Sequence, residues 1–170
     1  MKLVDRTARP SLRAVVLLAG GAFASLALGA APASAGPFSS FEGNWTGTGV
    51  ISVDNGTKER LHCRGHYDVG GGGTTMAQNL TCASDSYKFN VVSNVQASSG
   101  GAISGSWSEV SRGANGEIRG HITPTQISAQ VNGVGFTARI GIAARDGRQS
   151  VTISPTGTDI TNVSVTMSKR

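Results

Sequence analysis

The sequence predicts an all-β fold, an antiparallel up-and-down β-barrel of about eight to ten strands joined by short turns. Three observations carry this. Beyond residue 35 the leucines are Leu61 and Leu80 alone, while Val, Ile and Thr recur, a bias toward extended chain. Apolar and polar residues alternate in run after run, and no stretch sustains a helical apolar period. Turn signals return about every ten to twelve residues. With 170 residues, 38% hydrophobic and 15% charged, the chain has material for one domain rather than two.

Residues 1–35 read as a cleaved secretory signal peptide. Lys2, Arg6, Arg9 and Arg13 precede an apolar run from Ala14 to Ala30, and Ala33-Ser34-Ala35 supplies a small-residue cleavage pattern. Residues 36–170 are then the single barrel domain, secreted or periplasmic, with no integral membrane segment. Cleavage removes four of the 15 basic and one of the 10 acidic residues, so the formal charge falls from +5 to +2. No run of Lys and Arg alternates with aromatics, and nucleic acid is excluded as a principal partner.

The first strand is expected over Phe41–Val53, ending in the turn Asp54-Asn55-Gly56. The next two strands flank the run Gly70 to Gly73. If Gly72-Gly73 are the central turn residues, paired numbers sum to 145, and Cys63 and Cys82 face each other. In an oxidising compartment they form a disulfide. The same register sets Leu61, Tyr67 and Val69 with Met76 and Leu80 on one face. His62, Arg64, His66 and Asp68 lie on the other.

A fourth strand follows over Tyr87–Gln96. A tight turn at Ser98 to Gly101 would set Val95 opposite Ile103 and Val91 opposite Trp107. Asn115-Gly116, Asn132-Gly133 and Asp146-Gly147 read as later hairpin turns, and Pro124 breaks the run between Ile122 and Ile127. Val151 and Ile153 make a short strand before Pro155, and Val163 to Met167 make the last. Alternation defines two faces but not which is inside. An outer-membrane barrel has the same period with its apolar face on lipid, but eight aromatics beyond residue 35 are few for two girdles.

Gly43-Asn44-Trp45 opening the first strand resembles the G-x-W signature of lipocalins and related calycins. The resemblance implies that Trp45 closes one end of the barrel under an Arg from a late strand, for which Arg139 is the candidate. Thr158-Asp159 is followed by Ile160 where the family has Tyr, and no terminal helix is readable. The alanine-rich leader, first strand and cysteine pair also resemble small exported proteins of Gram-negative bacteria, which brings no activity with it.

Gly47 and Gly49 share the face of Trp45. Their missing side chains leave room for a ligand, or permit the sharp coiling a small barrel needs. His62 and His66 stand about 13 Å apart along one strand with Arg64 between them, so they read as solvated residues rather than metal ligands. Gly105-Ser106-Trp107-Ser108 lacks the helix of a nucleophile elbow, and no cofactor motif stands out. The expected function is non-catalytic binding of a small apolar ligand, in a pocket lined by Trp45, Gly47, Gly49, Phe89, Trp107 and Phe136. Leu at position 47 is then expected to abolish binding and leave the fold largely intact. The alternative is a barrel filled by its own side chains, acting as an envelope interaction or structural module through its polar face or loops.

Overall fold

A computed structural model describes residues 35–170; the expected leader lies outside them, save for Ala35. Ten strands follow one another: β1 (Gly43–Val53), β2 (Lys58–Gly70), β3 (Thr75–Ala83), β4 (Lys88–Ala97) and β5 (Ala102–Glu109). Then come β6 (Ala114–Thr123), β7 (Gln126–Gly133), β8 (Phe136–Arg145), β9 (Arg148–Thr156) and β10 (Ile160–Lys169). Each pairs antiparallel with its sequence neighbours, and β1 pairs with β10 to close the barrel.

The alternation resolves into an apolar inside and a polar outside. Leu61, Cys63 and Tyr67 of β2 are buried, while His62, Arg64, His66 and Asp68 are exposed. The large hydrophobics exposed among the described residues are Val50, Val110 and Val134, so the outer wall carries no apolar band of the kind lipid requires. No helix among the described residues is long and apolar enough to cross a membrane.

The β2–β3 hairpin has the expected register, with Cys63 opposite Cys82 and Gly70 opposite Thr75. The cysteines are joined in a disulfide facing the interior. A closed loop of about 20 residues is worth about 3 kcal/mol in the chain-entropy account.

Four turn or register expectations are corrected. Val95 faces Gly105 and Val91 faces Glu109, a slip of two residues from the expected partners Ile103 and Trp107. The cause is a turn centred one residue later: Ser98 N–H bonds the Ala102 carbonyl, and Gly101 takes a positive φ of 80°, as three-residue hairpin loops require. Because the slip is even, no side chain changes face. Asn115-Gly116 and Asn132-Gly133 both lie within strands. The turns fall instead before Ala114 and at Val134-Gly135. Gly116 serves close packing, since a Cβ there would meet the Asn132 carbonyl and sit 3.0 Å from Trp107 Nε1. Pro155 does not end β9; it pairs with Ala138 inside the ladder. Asp146-Gly147 does turn the chain, with φ of 51° and 70°.

Candidate functional site

The ends of the barrel differ. At one end lie the start of β1, the β2–β3 turn and the end of β10. There the segment before β1 folds inward and plugs the opening. Phe38 and Phe41 are fully buried, Phe38 N–H bonds the Gly73 carbonyl, and Ser40 Oγ bonds the Pro124 carbonyl. Phe41, expected in the first strand, therefore belongs to the plug. Trp45 joins it, 1% exposed, with Nε1 donating to the Phe41 carbonyl at 2.7 Å and its ring 6.4 Å from that of Tyr67. Trp45 thus closes one end of the barrel. The cation above its ring is Lys169, with Nζ 5.9 Å from the centroid; Arg139 is exposed on the outer wall, so that expectation is corrected.

The other expected lining residues gather at the opposite end. Phe89 is the second residue of β4, Phe136 the first of β8, and Trp107 stands two positions before the end of β5. Trp107 and Phe136 meet edge to face at 5.5 Å, and Trp107 Nε1 bonds the Asn132 carbonyl at 3.3 Å. Phe89 stacks on Tyr87 at 6.1 Å under the Arg112 guanidinium. The structure therefore brings Trp107 and Phe136 together, sets Phe89 at the same end and leaves Trp45 at the other.

Gly47 and Gly49 give no free room. A Cβ on Gly47 would lie 2.6 Å from Met167 Cα and against the Thr166 carbonyl. One on Gly49 would lie 2.9 Å from Val165 Cα. The backbone of β10 occupies that space, so these glycines serve the close coiling of the seam. The expectation that Leu at position 47 spares the fold is corrected for the same reason.

Ile140 and Ile142 of β8 and Ile153 of β9 face inward, between neighbours that face out, yet each is partly exposed. The unplugged end has an apolar rim as well, where Val134 is 98% and Val110 57% exposed in the turns.

Two carboxylates brace that rim. Glu109 is buried and accepts the N–H groups of Asn90 (2.8 Å), Ser111 (3.3 Å) and Arg112 (2.7 Å). Burial disfavours its charge, but these bonds prevail and hold its carboxyl below the usual range. Glu59 accepts from the Ser84 hydroxyl and the Ser86 N–H, which lowers its pKa too.

The floor beside the plug is polar. Ser93 Oγ donates to Gln78 Oε1 at 2.9 Å, and the Tyr67 hydroxyl reaches Gln149 Oε1 at 3.4 Å. Burial raises the Tyr67 pKa, so the phenol stays a neutral donor. Gln149 is 1% exposed and its Nε2 has no partner among the described residues. Sequence reasoning missed Gln78, Ser93 and Gln149. The signal was available: each is a polar residue on the apolar phase of its strand, flanked at two-residue spacing by Met76 and Leu80, Val91 and Val95, and Val151.

His62 and His66 are exposed on the outer wall, and His66 bonds Asn44 and Asp68. No group of three or more metal-ligating side chains converges among the described residues. No protein-family model matches the chain, and no curated protein matches its sequence.

Proposed function

We propose that the protein is a secreted or periplasmic, calycin-like, non-catalytic carrier that holds a small apolar ligand in the barrel lumen. The observation that carries this reading is the partial exposure of Ile140, Ile142 and Ile153 on the inner wall. Burying such surface under a ligand contributes about 25 cal/mol per Å², and a preformed pocket keeps the ordering cost low. The plug at one end and the apolar rim at the other give one way in. The buried disulfide fits an oxidising compartment. Native mass spectrometry of protein purified from such a compartment tests the reading. A discrete extra mass lost on denaturation is expected. A bare monomer that also fails to bind diphenylhexatriene, a fluorescent hydrocarbon, would overturn it.

A second reading has its own observation. The outward face of β8, β9, β10, β1 and β2, with the residue after β10, exposes Arg60, Arg64, Arg139, Arg145, Arg148 and Arg170. Such a wall suits an interaction module for an anionic envelope component, whose binding would weaken steeply with salt.

A further inference from the structure

The outer wall carries a hollow with a chemistry of its own. Over β9, β10, β1 and the start of β2 an open concavity of about 600 Å³ is floored by Thr48, Ser150, Thr152, Ser164 and Thr166 and flanked by Lys58 and Arg60. All of these residues are exposed. The strand register sets the floor in two rows. Thr48 stands opposite Thr166 and Thr166 opposite Ser150; Val50 stands opposite Ser164 and Ser164 opposite Thr152. The close approach of β10 to Gly47 and Gly49 and the short side chains outside that seam keep the floor low. Each Ser or Thr hydroxyl can both donate and accept a hydrogen bond.

Arginines surround this floor. Arg64 stands opposite Thr46, Thr46 opposite Ser168, Ser168 opposite Arg148 and Arg148 opposite Arg145. The row on the plugged side of the hollow therefore carries three guanidinium groups, and its ends lie four strand spacings, about 19 Å, apart along the wall. Arg139 adds a charge on the β8 side. Across β8, β9, β10, β1 and β2 the acids are Glu59, turned inward onto Ser84, and Asp68, paired with His66. The ion pairs among the described residues leave Arg60, Arg64, Arg139 and Arg148 without a carboxylate partner. This charge is unmatched within the protein, and an anionic partner complements it.

Two features of the same wall narrow the anion. No aromatic side chain faces outward on these five strands, so nucleic-acid bases find no stacking platform. Val50 is the one large exposed hydrophobic on them, so nothing there enters a lipid bilayer, and a concave floor stands back from a flat one. What remains is a polyol with carboxylates. Its hydroxyls match those of the floor, and a guanidinium takes a carboxylate through two parallel hydrogen bonds. Resting on the reading of the arginine wall as an interaction surface, we propose that the hollow binds an acidic polysaccharide laid across the strands. The Ser and Thr floor holds its sugar hydroxyls, and Arg60, Arg64 and Arg148 hold its carboxylates.

Fluorescently labelled polymers test this by anisotropy on the disulfide-bonded protein at low ionic strength. Polygalacturonate is an acidic polysaccharide, dextran a neutral one, and polyglutamate a carboxylate polymer without hydroxyls. Polygalacturonate is expected to bind and to be released by salt, dextran not to bind, and polyglutamate to bind about tenfold more weakly than polygalacturonate, the equivalent of one or two hydrogen bonds. Arg64→Gln/Arg148→Gln should weaken polygalacturonate by about tenfold or more, whereas Arg119→Gln on β6, outside this wall, should leave it unchanged. Thr48→Val/Thr166→Val keeps the strand preference and the charge. It should weaken polygalacturonate about tenfold and leave polyglutamate unchanged. Equal or tighter binding of polyglutamate, or no effect of the threonine variant, would overturn the inference while the anionic interaction surface stands. Tighter binding of phosphatidylglycerol vesicles or of single-stranded DNA than of polygalacturonate would overturn it as well. Failure of every anion to bind would overturn the interaction-surface reading itself.

Discussion

One methyl group at Gly47 would set its carbon 2.6 Å from Met167 Cα. Backbone must move to admit it, since no flexible side-chain end is in the way. Gly47→Ala should therefore lower stability by about 1–3 kcal/mol, the usual range for overpacking. Gly141 is the contrast: it faces outward on β8, and a Cβ there meets nothing within 4 Å. Gly141→Ala should raise stability by about 0.5–1 kcal/mol, because it only restricts the unfolded chain. Urea midpoints of the two variants check both signs, and equal shifts would refute the seam account. Sequence could mark Gly47 and Gly49 as special but could not separate open room from close backbone, because that depends on how β10 approaches β1. Gln149 was more legible than its neglect suggests, since a polar residue two positions from Val151 on an inward phase is already an anomaly.

At the scale of the elements, the strands were readable and the turns only partly so. Period-two alternation identifies a strand wherever one face is buried, and the cysteine pair pinned the β2–β3 register. The Asn-Gly pairs misled because a dipeptide that suits a turn can also sit in a strand where a glycine lets another chain pass. The turn before β5 could be centred on any of several Ser and Gly residues, and its glycines did not say which. The β5–β6 turn depends instead on a side chain, Glu109, whose carboxylate accepts three backbone N–H groups. Its pKa in the folded protein is lowered relative to about 4.3 unfolded. Its contribution is thus complete above the unfolded value and lost as pH falls through the folded one. Stability should decline on acidification below about pH 4, and less steeply in Glu109→Gln. Urea titrations at neutral and acid pH measure both slopes; equal slopes would show that the carboxylate is no acid-sensitive brace.

For the whole molecule, the succession of short turns predicted an up-and-down barrel, and the structure provides its seam in β1 and β10. The plug was not foreseen, because Phe41 continues the alternation of the first strand and Phe38, before it, belongs to no strand pattern. Nine of the ten strand pairings join neighbours in sequence, while the seam reaches from Trp45 to Lys169. Amide hydrogen exchange should accordingly show β1–β10 amides opening at lower free energy than those of β2–β3, which the disulfide ties together. Uniform protection around the ring would contradict this.

The seam also dictates an order of events during folding. A hairpin joins strands separated by a few residues, whereas Arg170 reaches Thr46 across 124 positions. Closing a loop of that length carries about 3 kcal/mol more entropic cost than closing a hairpin. The neighbouring ladders can therefore zip first, with β1 and β10 meeting last. Until they meet, the growing sheet exposes two unpaired edges, and a second chain can add to either. Refolding yield should then depend on protein concentration, and losses should arise while the cylinder is still an open ribbon.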